Sequence, residues 1–165
     1  MSYHIYTTKG IILSLRDHQE ADRVYSILTR DFGLVRATAT GVRKLESKLR
    51  GALEPFTLST ISLVRGKDYW RITSAQFVEK LDTSIALVKP LALLERLVQG
   101  ESAHPELFDM IEKAALKKEK GEMFEINLVA QILHQLGYLK ESDLNLSKKE
   151  LIKVINEGLQ ASQLV

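Results

Sequence analysis

The sequence predicts an α+β protein in which a five-stranded OB-fold barrel precedes a small all-α domain. Two observations predict this class. The first half of the chain is rich in β-branched and aromatic residues that alternate with period two, and the apolar period changes to 3.6 after about Leu81. We therefore expect an OB-fold domain over residues 1–80 and a helical domain over residues 81–165.

The composition is that of a folded globular protein. Of the 165 residues, 45% are hydrophobic and 27% are charged, which is too apolar for a disordered chain. Apolar runs stay well short of the roughly 20 residues that cross a bilayer, and residues 1–9 lack the organisation of a secretory signal. We expect a cytoplasmic protein. The absence of cysteine excludes disulfides, thiolate zinc sites and thiol nucleophiles.

Positive charge is concentrated in the first half of the chain. Residues 1–75 contain 12 Lys and Arg against 7 Asp and Glu, whereas residues 76–165 contain 11 against 14. The two halves therefore carry net charges of +5 and −3. This asymmetry indicates that the two predicted domains have different partners.

The predicted strands follow from alternation and turn residues. In residues 34–40, Val35, Ala37 and Ala39 should face the core while the residues between them face outward. The phase of the apolar residues changes between Leu58 and Ile61, which predicts a bulge or bend there. Five strands are predicted, with a possible kink at Gly10 and hairpin turns at 31–33 and 66–68: Ile5–Leu15, Arg23–Arg30, Leu34–Thr40, Phe56–Arg65 and Tyr69–Val78.

A short helix is predicted between the third and fourth strands. It spans Leu45–Leu53, with Ser47 as a possible N-cap. Five strands with a helix after the third is the order of an OB-fold, a barrel that commonly binds nucleic acids. An SH3-like barrel would give a similar pattern.

Four amphipathic helices are predicted after the barrel. The first helix has Pro90 early and ends before Gly100, the second begins at Pro105, and the third ends before Gly137. A capping box of Ser147 and Glu150 begins the fourth. A solvated, lysine-rich run at 117–121 separates the second helix from the third. Four such helices can enclose a small core of their own.

The densest chemical signal is a group of cations after the third strand. Five of them fall within fifteen residues that contain one acid, Glu46; they are Arg36, Arg43, Lys44, Lys48 and Arg50. Binding to a phosphate backbone requires several cations along one surface, because each neutralised phosphate releases counterions. A solvated charged loop is the alternative explanation, and the barrel context favours contact with DNA or RNA.

Exposed aromatic rings would support binding of single strands, because bases stack on them with little regard to sequence. The candidates are Tyr25, Tyr69 and Trp70. Tyr69 and Trp70 are adjacent in a strand and must point to opposite faces. We expect Trp70 to lie in the core, as a lone tryptophan of a small β-domain usually does.

The sequence gives little support for an enzyme. The four histidines show no ligand spacing, and neither a GxGxxG nor a Walker-type phosphate loop is present. The cluster of His18, Glu20 and Asp22 is better explained as polar turn residues than as an acid–base or metal site. Residues 100–105, with a serine and a histidine, fit an interhelical loop. We expect no catalytic residue, no metal site and no cofactor.

Several motifs resemble the RecO family of bacterial recombination mediators. The run from Gly41 to Phe56 (GVRKLESKLRGALEPF) is similar to the family signature of a glycine, a basic pair, a serine, Leu-Arg-Gly and Pro-Phe. Before it stand Glu20, Asp22-Arg23, Thr29-Arg30 and Gly33-Leu34 in the expected order. After it, 94–108 and 124–138 resemble the family's first helical segments, so the resemblance covers nearly all of residues 1–140.

The resemblance implies a function and a set of partners. It implies an OB-fold joined to a helical domain, binding of single- and double-stranded DNA, and annealing of complementary strands. The implied partners are RecR and single-strand-binding protein, and the implied outcome is that RecA replaces that protein on DNA. The implied DNA contacts fall on Arg43, Lys44, Lys48 and Arg50, with Arg23, Arg30 and Arg36 as further candidates.

Two features depart from the family pattern. Many relatives carry a cysteine cluster just beyond the Gly-Tyr position, whereas residues 139–146 contain no cysteine, so we expect no zinc site. The chain also stops soon after one further capped helix, and we expect a reduced helical domain. The leading hypothesis is a mediator that anneals strands by neutralising charge. The alternatives are a protein-interaction adaptor and an RNA-binding protein.

Overall fold

The computed structural model describes residues 3–163 and divides them into two compact units. One unit contains the residues up to Leu81 together with Gln99–Pro105, and the other contains Asp82–Val98 and the residues from Glu106 onward. The ends of the predicted domains at 1–2 and 164–165 lie outside the described residues. The division predicted after residue 80 stays a prediction.

The first unit is built on a closed barrel of five strands. These are β1 (Tyr6–His18), β2 (Asp22–Thr29), β3 (Gly33–Ala39), β4 (Thr57–Val64) and β5 (Trp70–Lys80). Strand β1 pairs antiparallel with both β2 and β4, and a short parallel pairing of β3 with β5 closes the barrel in the order β1-β2-β3-β5-β4. This is an OB-fold, so the predicted fold class is confirmed.

Alternating residues fill the barrel interior. In β3, Val35, Ala37 and Ala39 are fully buried while Arg36 is exposed, as the alternation predicted. The small side chains of this strand leave room for larger ones across the barrel. Those larger residues include Ile12, Tyr25, Ile27, Ile61, Leu63 and Trp70.

Gly10 and a bulge in β1 have separate roles. The kink at Gly10 stays a prediction, and the register of β1 against β2 shifts between Ile12 and Ser14. Gly10 is regularly paired on both sides, with Thr29 and Ser59. A Cβ atom on Gly10 would lie only 2.7 Å from Ile27 Cγ2. The glycine is therefore required for packing inside the barrel.

The predicted irregularity in β4 is confirmed. Its register against β5 shifts between Leu58 and Ser59, and again between Ser62 and Leu63. Just before β4, Phe56 has a positive φ of 58°, and its backbone N–H donates to the Ile12 carbonyl at 2.7 Å. These irregularities bend the strand so that it can pair with β1 on one side and β5 on the other.

The prediction of a helix over Leu45–Leu53 is wrong. Only one 3-10 turn forms, over Arg50–Leu53, and it has no side-chain N-cap. The Ser47 hydroxyl accepts a hydrogen bond from the Leu49 backbone N–H at 3.3 Å, a local turn that competes with helix formation. Leu45 is 93% exposed, so the first half of the segment has no apolar face to bury.

The second unit contains the predicted helices. They are α1 (Ile85–Leu97), α2 (Pro105–Ala115), α3 (Phe124–Gln135) and α4 (Lys148–Ala161), with a 3-10 helix over Glu141–Asn145 between the last two. The capping box of α4 is confirmed, because the Ser147 and Glu150 side chains each accept the other's backbone N–H. Within residues 3–163, no helix combines the length and apolar character needed to cross a membrane.

The segment Gln99–Pro105, between α1 and α2, packs within the barrel unit. Gly33, which has a positive φ of 68°, lies against the Ser102 backbone, and a Cβ atom there would overlap the Ser102 carbonyl oxygen. The Glu101 carboxylate reaches two residues of the barrel, Arg65 and Trp70. The segment is thus fixed by both backbone packing and polar contacts, a feature that the sequence did not reveal.

Candidate nucleic-acid interface

Three cations of the RecO-like motif, Arg43, Lys44 and Lys48, lie in the connection between β3 and the 3-10 turn, which we call the basic loop (residues 40–49), and Arg50 begins the turn itself. Gly41 begins it with a φ of 66°, and its backbone N–H donates to the Asp22 carboxylate at 2.7 Å. Val42 is fully buried in the barrel core. The Arg43 backbone N–H donates to the Ala21 carbonyl at 3.0 Å. The loop is therefore anchored to the turn between β1 and β2.

Arg50 holds the basic loop in shape. Its Nη2 atom donates to the carbonyls of Arg43 and Lys44, both at 2.8 Å, and its Nε atom donates to the Val42 carbonyl at 3.4 Å. One planar guanidinium therefore satisfies three consecutive carbonyls of the loop. Because these contacts orient the backbone that carries Arg43 and Lys44, we identify Arg50 as a positioning residue.

An open cleft of about 470 Å³ lies at this end of the barrel. Three arginines line it together with one acid: Arg23, Arg43, Arg50 and Glu54, beside Leu15 and Pro55. Guanidinium groups that share a cleft are suited to bidentate recognition of phosphate or carboxylate oxygens. The cleft therefore has the chemistry of an anion site.

Asp17 links two of these arginines. Its carboxylate accepts from Arg23 Nε at 3.0 Å and lies 3.6 Å from Arg43 Nη2. The hydrogen bond to Asp17 raises the pKa of Arg23. Below the cleft, Tyr25 is 1% exposed, and burial raises the pKa of its hydroxyl. The arginines are thus held by an acid that would compete with an incoming phosphate.

Three predicted cations carry exposed charges without a hydrogen bond or ion pair to any described residue. Lys44 and Lys48 project from the basic loop, and Arg36 projects from the outer face of β3. Unpaired cations on a surface are the groups that can neutralise phosphates.

The seven predicted site residues do not all come together. Arg23, Arg43 and Arg50 share the cleft, and Lys44 and Lys48 belong to the adjoining basic loop. Arg30 directly follows the other end of β2, about 23 Å along the strand from Arg23 at the usual rise per residue. Its guanidinium lies 3.7 Å from the Asp31 carboxylate. The geometry therefore brings five of the seven residues into one candidate interface, whereas Arg36 lies in the middle of β3, paired with Ser26, and Arg30 lies beyond the far end of β2.

Arg16 was not among the candidates predicted from the sequence, and it lies over the outer face of β2 and β3 together with two residues that were named, His18 and Tyr69. Arg16 of β1 donates to the Tyr69 hydroxyl at 2.8 Å, and His18 lies edge-on to the Tyr69 ring. Arg16 of β1 pairs with Val24 of β2, which pairs with Thr38 of β3, and Thr38 pairs with Arg71 of β5. The contact between Arg16 and Tyr69 therefore crosses β2 and β3. This face is where OB-folds bind oligonucleotides, and strand parity could have indicated it.

The aromatic candidates have different roles. Trp70 is 2% exposed, which confirms the expectation that it lies in the core, and the adjacent Tyr69 is half-buried on the opposite face. Tyr25 is buried in the barrel and cannot present a face to a base. Tyr69 is therefore the one of the three predicted candidates that remains accessible for stacking.

The residues considered for catalysis have structural contacts. Asp22 accepts the Gly41 N–H, and the Glu20 backbone carbonyl accepts from Arg43 Nη1 at 3.1 Å. Within the described part of the chain, no group of three or more His, Asp or Glu residues is placed to hold a metal ion. The polar residues near the end of β1 thus support the basic loop.

Comparisons with known proteins identify relatives of this chain. Residues 1–81 match the model of the family described as recombination protein O N terminal. A DNA repair protein RecO from Dehalococcoides mccartyi is 35% identical, over 77% of this chain and 56% of that protein. The RecO protein of Heliobacterium modesticaldum is 28% identical, over 93% of this chain and 59% of its own length. The chain therefore spans little more than half the length of these relatives.

The barrel topology and the cationic loop define an OB-fold protein with a candidate polyanion-binding face. The match of residues 1–81 and the similarity to two RecO proteins identify its family more closely. The chain belongs to the RecO family.

Proposed function

We propose that this chain is a non-enzymatic DNA-binding protein of recombinational DNA repair. The observation that carries the proposal is the basic loop, which presents Lys44 and Lys48 to solvent beside a cleft lined by three arginines. Both features lie on an OB-fold barrel, a fold that commonly binds single strands. The relatives are DNA repair proteins named RecO, and they supply the biological context.

Binding by this surface should depend strongly on salt. Each phosphate that a cation neutralises releases counterions, so the logarithm of the binding constant falls linearly with the logarithm of the salt concentration. We expect a triple variant, Arg36→Ala, Lys44→Ala and Lys48→Ala, to reduce the slope by roughly one for each lost phosphate contact. Fluorescence anisotropy of a labelled oligonucleotide at several salt concentrations measures this slope.

A matched control removes the same charge from the other unit. Lys117, Lys118 and Lys149 are exposed there, and their replacement by alanine lowers the net charge equally. The control should leave the slope close to that of the wild type. Equal slopes for the two triple variants would show that Arg36, Lys44 and Lys48 do not contact the phosphates of the bound strand.

The family resemblance extends the proposal to strand annealing. Cations that neutralise two strands at once reduce the repulsion between their phosphates, so complementary bases can meet and pair. The proposed partners are RecR and single-strand-binding protein, and the proposed outcome is loading of RecA. Annealing of strands coated with the cognate single-strand-binding protein, compared with naked strands, tests this step. A chain that binds DNA without accelerating either reaction would not be an annealing protein.

A further inference from the structure

Leu45 is the most exposed large apolar side chain in residues 3–163. It is 93% exposed and lies within the basic loop, directly after the exposed Arg43 and Lys44. Single surface leucines are common and usually have no role. Two further properties of this leucine, the fixed backbone that carries it and the charges around it, indicate a role here.

The backbone that carries Leu45 is held on both sides. Before it, the Lys44 N–H donates to the Gly41 carbonyl, and Arg50 binds the carbonyls of Arg43 and Lys44. After it, the Ser47 N–H donates to the Lys44 carbonyl at 3.1 Å. A side chain on such a backbone is presented to solvent in a fixed place, which lowers the entropy cost of using it in binding.

The charges around Leu45 indicate what it contacts. The cores of protein–protein interfaces are depleted of lysine. Leu45 directly follows Arg43 and Lys44 and precedes Lys48, and the one acid of the segment, Glu46, stands next to it, so cations outnumber the acid around the leucine. In proteins that insert apolar side chains between base steps of a duplex, lysine and arginine accompany the inserted side chain, and cations of this kind neutralise neighbouring phosphates. The surroundings therefore fit a base step of a bound strand better than a protein surface.

We propose that Leu45 inserts between two stacked bases of a single strand bound by the basic loop. The cations on either side hold the phosphates, and the leucine separates the two bases and packs against their faces. The inference rests on the proposed DNA binding, and it adds a mechanical role for one apolar residue. It predicts a local loss of base stacking at the site of contact.

The test uses two signals from the full chain. A single-stranded oligonucleotide contains 2-aminopurine between adenines, whose fluorescence rises when stacking is lost, and a second label reports binding by anisotropy. All measurements are made at protein concentrations that saturate the anisotropy. Wild-type protein should raise the 2-aminopurine fluorescence severalfold. Leu45→Ala should lose most of that increase, and Leu45→Met, which keeps an apolar chain of similar length, should retain it.

Phe77→Ala is the matched control, because Phe77 is also an exposed apolar residue of the barrel unit, at 53% exposure, and lies outside the basic loop. It should behave as the wild type. If the anisotropy does not rise with wild-type protein, the proposed DNA binding itself is overturned. If it rises and Leu45→Ala gives the same 2-aminopurine signal as the wild type, insertion is overturned while DNA binding stands.

Discussion

The indole N–H of Trp70 donates a hydrogen bond to the Glu101 carboxylate at 2.8 Å. The other carboxylate oxygen accepts from Arg65 at 2.6 Å, and the Arg65 guanidinium lies 3.9 Å from the centre of the Trp70 ring. Trp70 is itself packed edge-on against Tyr6 within the barrel. One carboxylate from the segment between α1 and α2 thus satisfies the buried tryptophan and orients the arginine that covers it.

Loss of this carboxylate should destabilise the barrel. Glu101→Ala leaves the Trp70 N–H without a partner at a buried site, which costs about 1–3 kcal/mol. Arg65→Ala removes an exposed ion pair and a cation–π contact, which together contribute about 0.5–2 kcal/mol, whereas Glu101→Ala loses the same ion pair in addition to the buried hydrogen bond. We therefore expect Glu101→Ala to destabilise the barrel more than Arg65→Ala does. Urea unfolding followed by the fluorescence of Trp70, the single tryptophan, measures both.

Glu101→Gln is the informative control in this series, because its amide oxygen can still accept the indole N–H. It should unfold at a urea concentration between those of the wild type and Glu101→Ala. Equal midpoints for Glu101→Ala and the wild type would mean that the hydrogen bond does not stabilise the barrel.

Arg50 should protect the basic loop from proteolysis. Arg50→Ala and Arg50→Lys both lose the fork that bridges the Arg43 and Lys44 carbonyls, because an ammonium cannot reproduce the planar geometry. Trypsin should then cleave after Arg43 or Lys44 faster than in the wild type, as local opening becomes easier. The rate is followed by mass spectrometry of the fragments. Lys48→Ala, which removes a loop cation without these contacts, should leave cleavage at Arg43 and Lys44 at the wild-type rate.

Removal of Asp17 should strengthen binding of polyanions. Its carboxylate pairs with Arg23 and lies near Arg43, so Asp17→Asn frees both guanidinium groups for phosphate. We expect an affinity gain of about 1.4- to fivefold, the equivalent of one exposed ion pair of ~0.2–1 kcal/mol. Oligonucleotide anisotropy at low salt measures it. An unchanged or lower affinity of Asp17→Asn would show that the cleft does not receive phosphate.

The stability of the helical unit should depend on pH through Asp82. Hydrogen bonds from Ser84 and Lys120 lower the pKa of Asp82 to about 2, from a usual value of 3.8. A carboxylate with a depressed pKa stabilises the folded state above its unfolded pKa and loses that contribution as the pH falls through the folded value. We expect the contribution to disappear between about pH 4 and pH 2. In an acid titration followed by circular dichroism, the helical signal of Asp82→Asn should fall less steeply with decreasing pH than that of the wild type. Equal slopes of signal against pH for the two proteins would contradict the prediction.

Substitution of two glycines by alanine should show that Gly10 is required for packing inside the barrel and that Gly51 is not. In Gly10→Ala the new methyl group would lie 2.7 Å from Ile27 Cγ2 and 2.9 Å from Ile61 Cδ1, and overpacking of this kind costs about 1–3 kcal/mol. Gly51, by contrast, has no atom within 4 Å of a Cβ atom, so Gly51→Ala should be neutral or slightly stabilising. Trp70 fluorescence during urea unfolding compares the two variants. A Gly10→Ala protein as stable as Gly51→Ala would refute the packing role.

Much of the architecture follows from local patterns that the sequence displays directly. Alternation in β3 separates buried Ala37 from exposed Arg36, and the Ser147–Glu150 pair begins α4 where the capping box indicates. These predictions succeed because side-chain period and capping depend on neighbours within a few residues. The motif from Gly41 to Phe56 likewise located the candidate site in the basic loop.

The sequence by itself determined the class of each domain, the order of the five strands and of the four helices that follow them, and the cations that mark the candidate interface. Only the tertiary structure decided that Arg50 fixes the loop backbone, that Arg30 lies at the far end of β2, and that Glu101 reaches Trp70. The physical reason is that these contacts join residues that barrel closure and chain reversal bring together. No local period or propensity encodes such contacts, because they depend on where the whole chain returns.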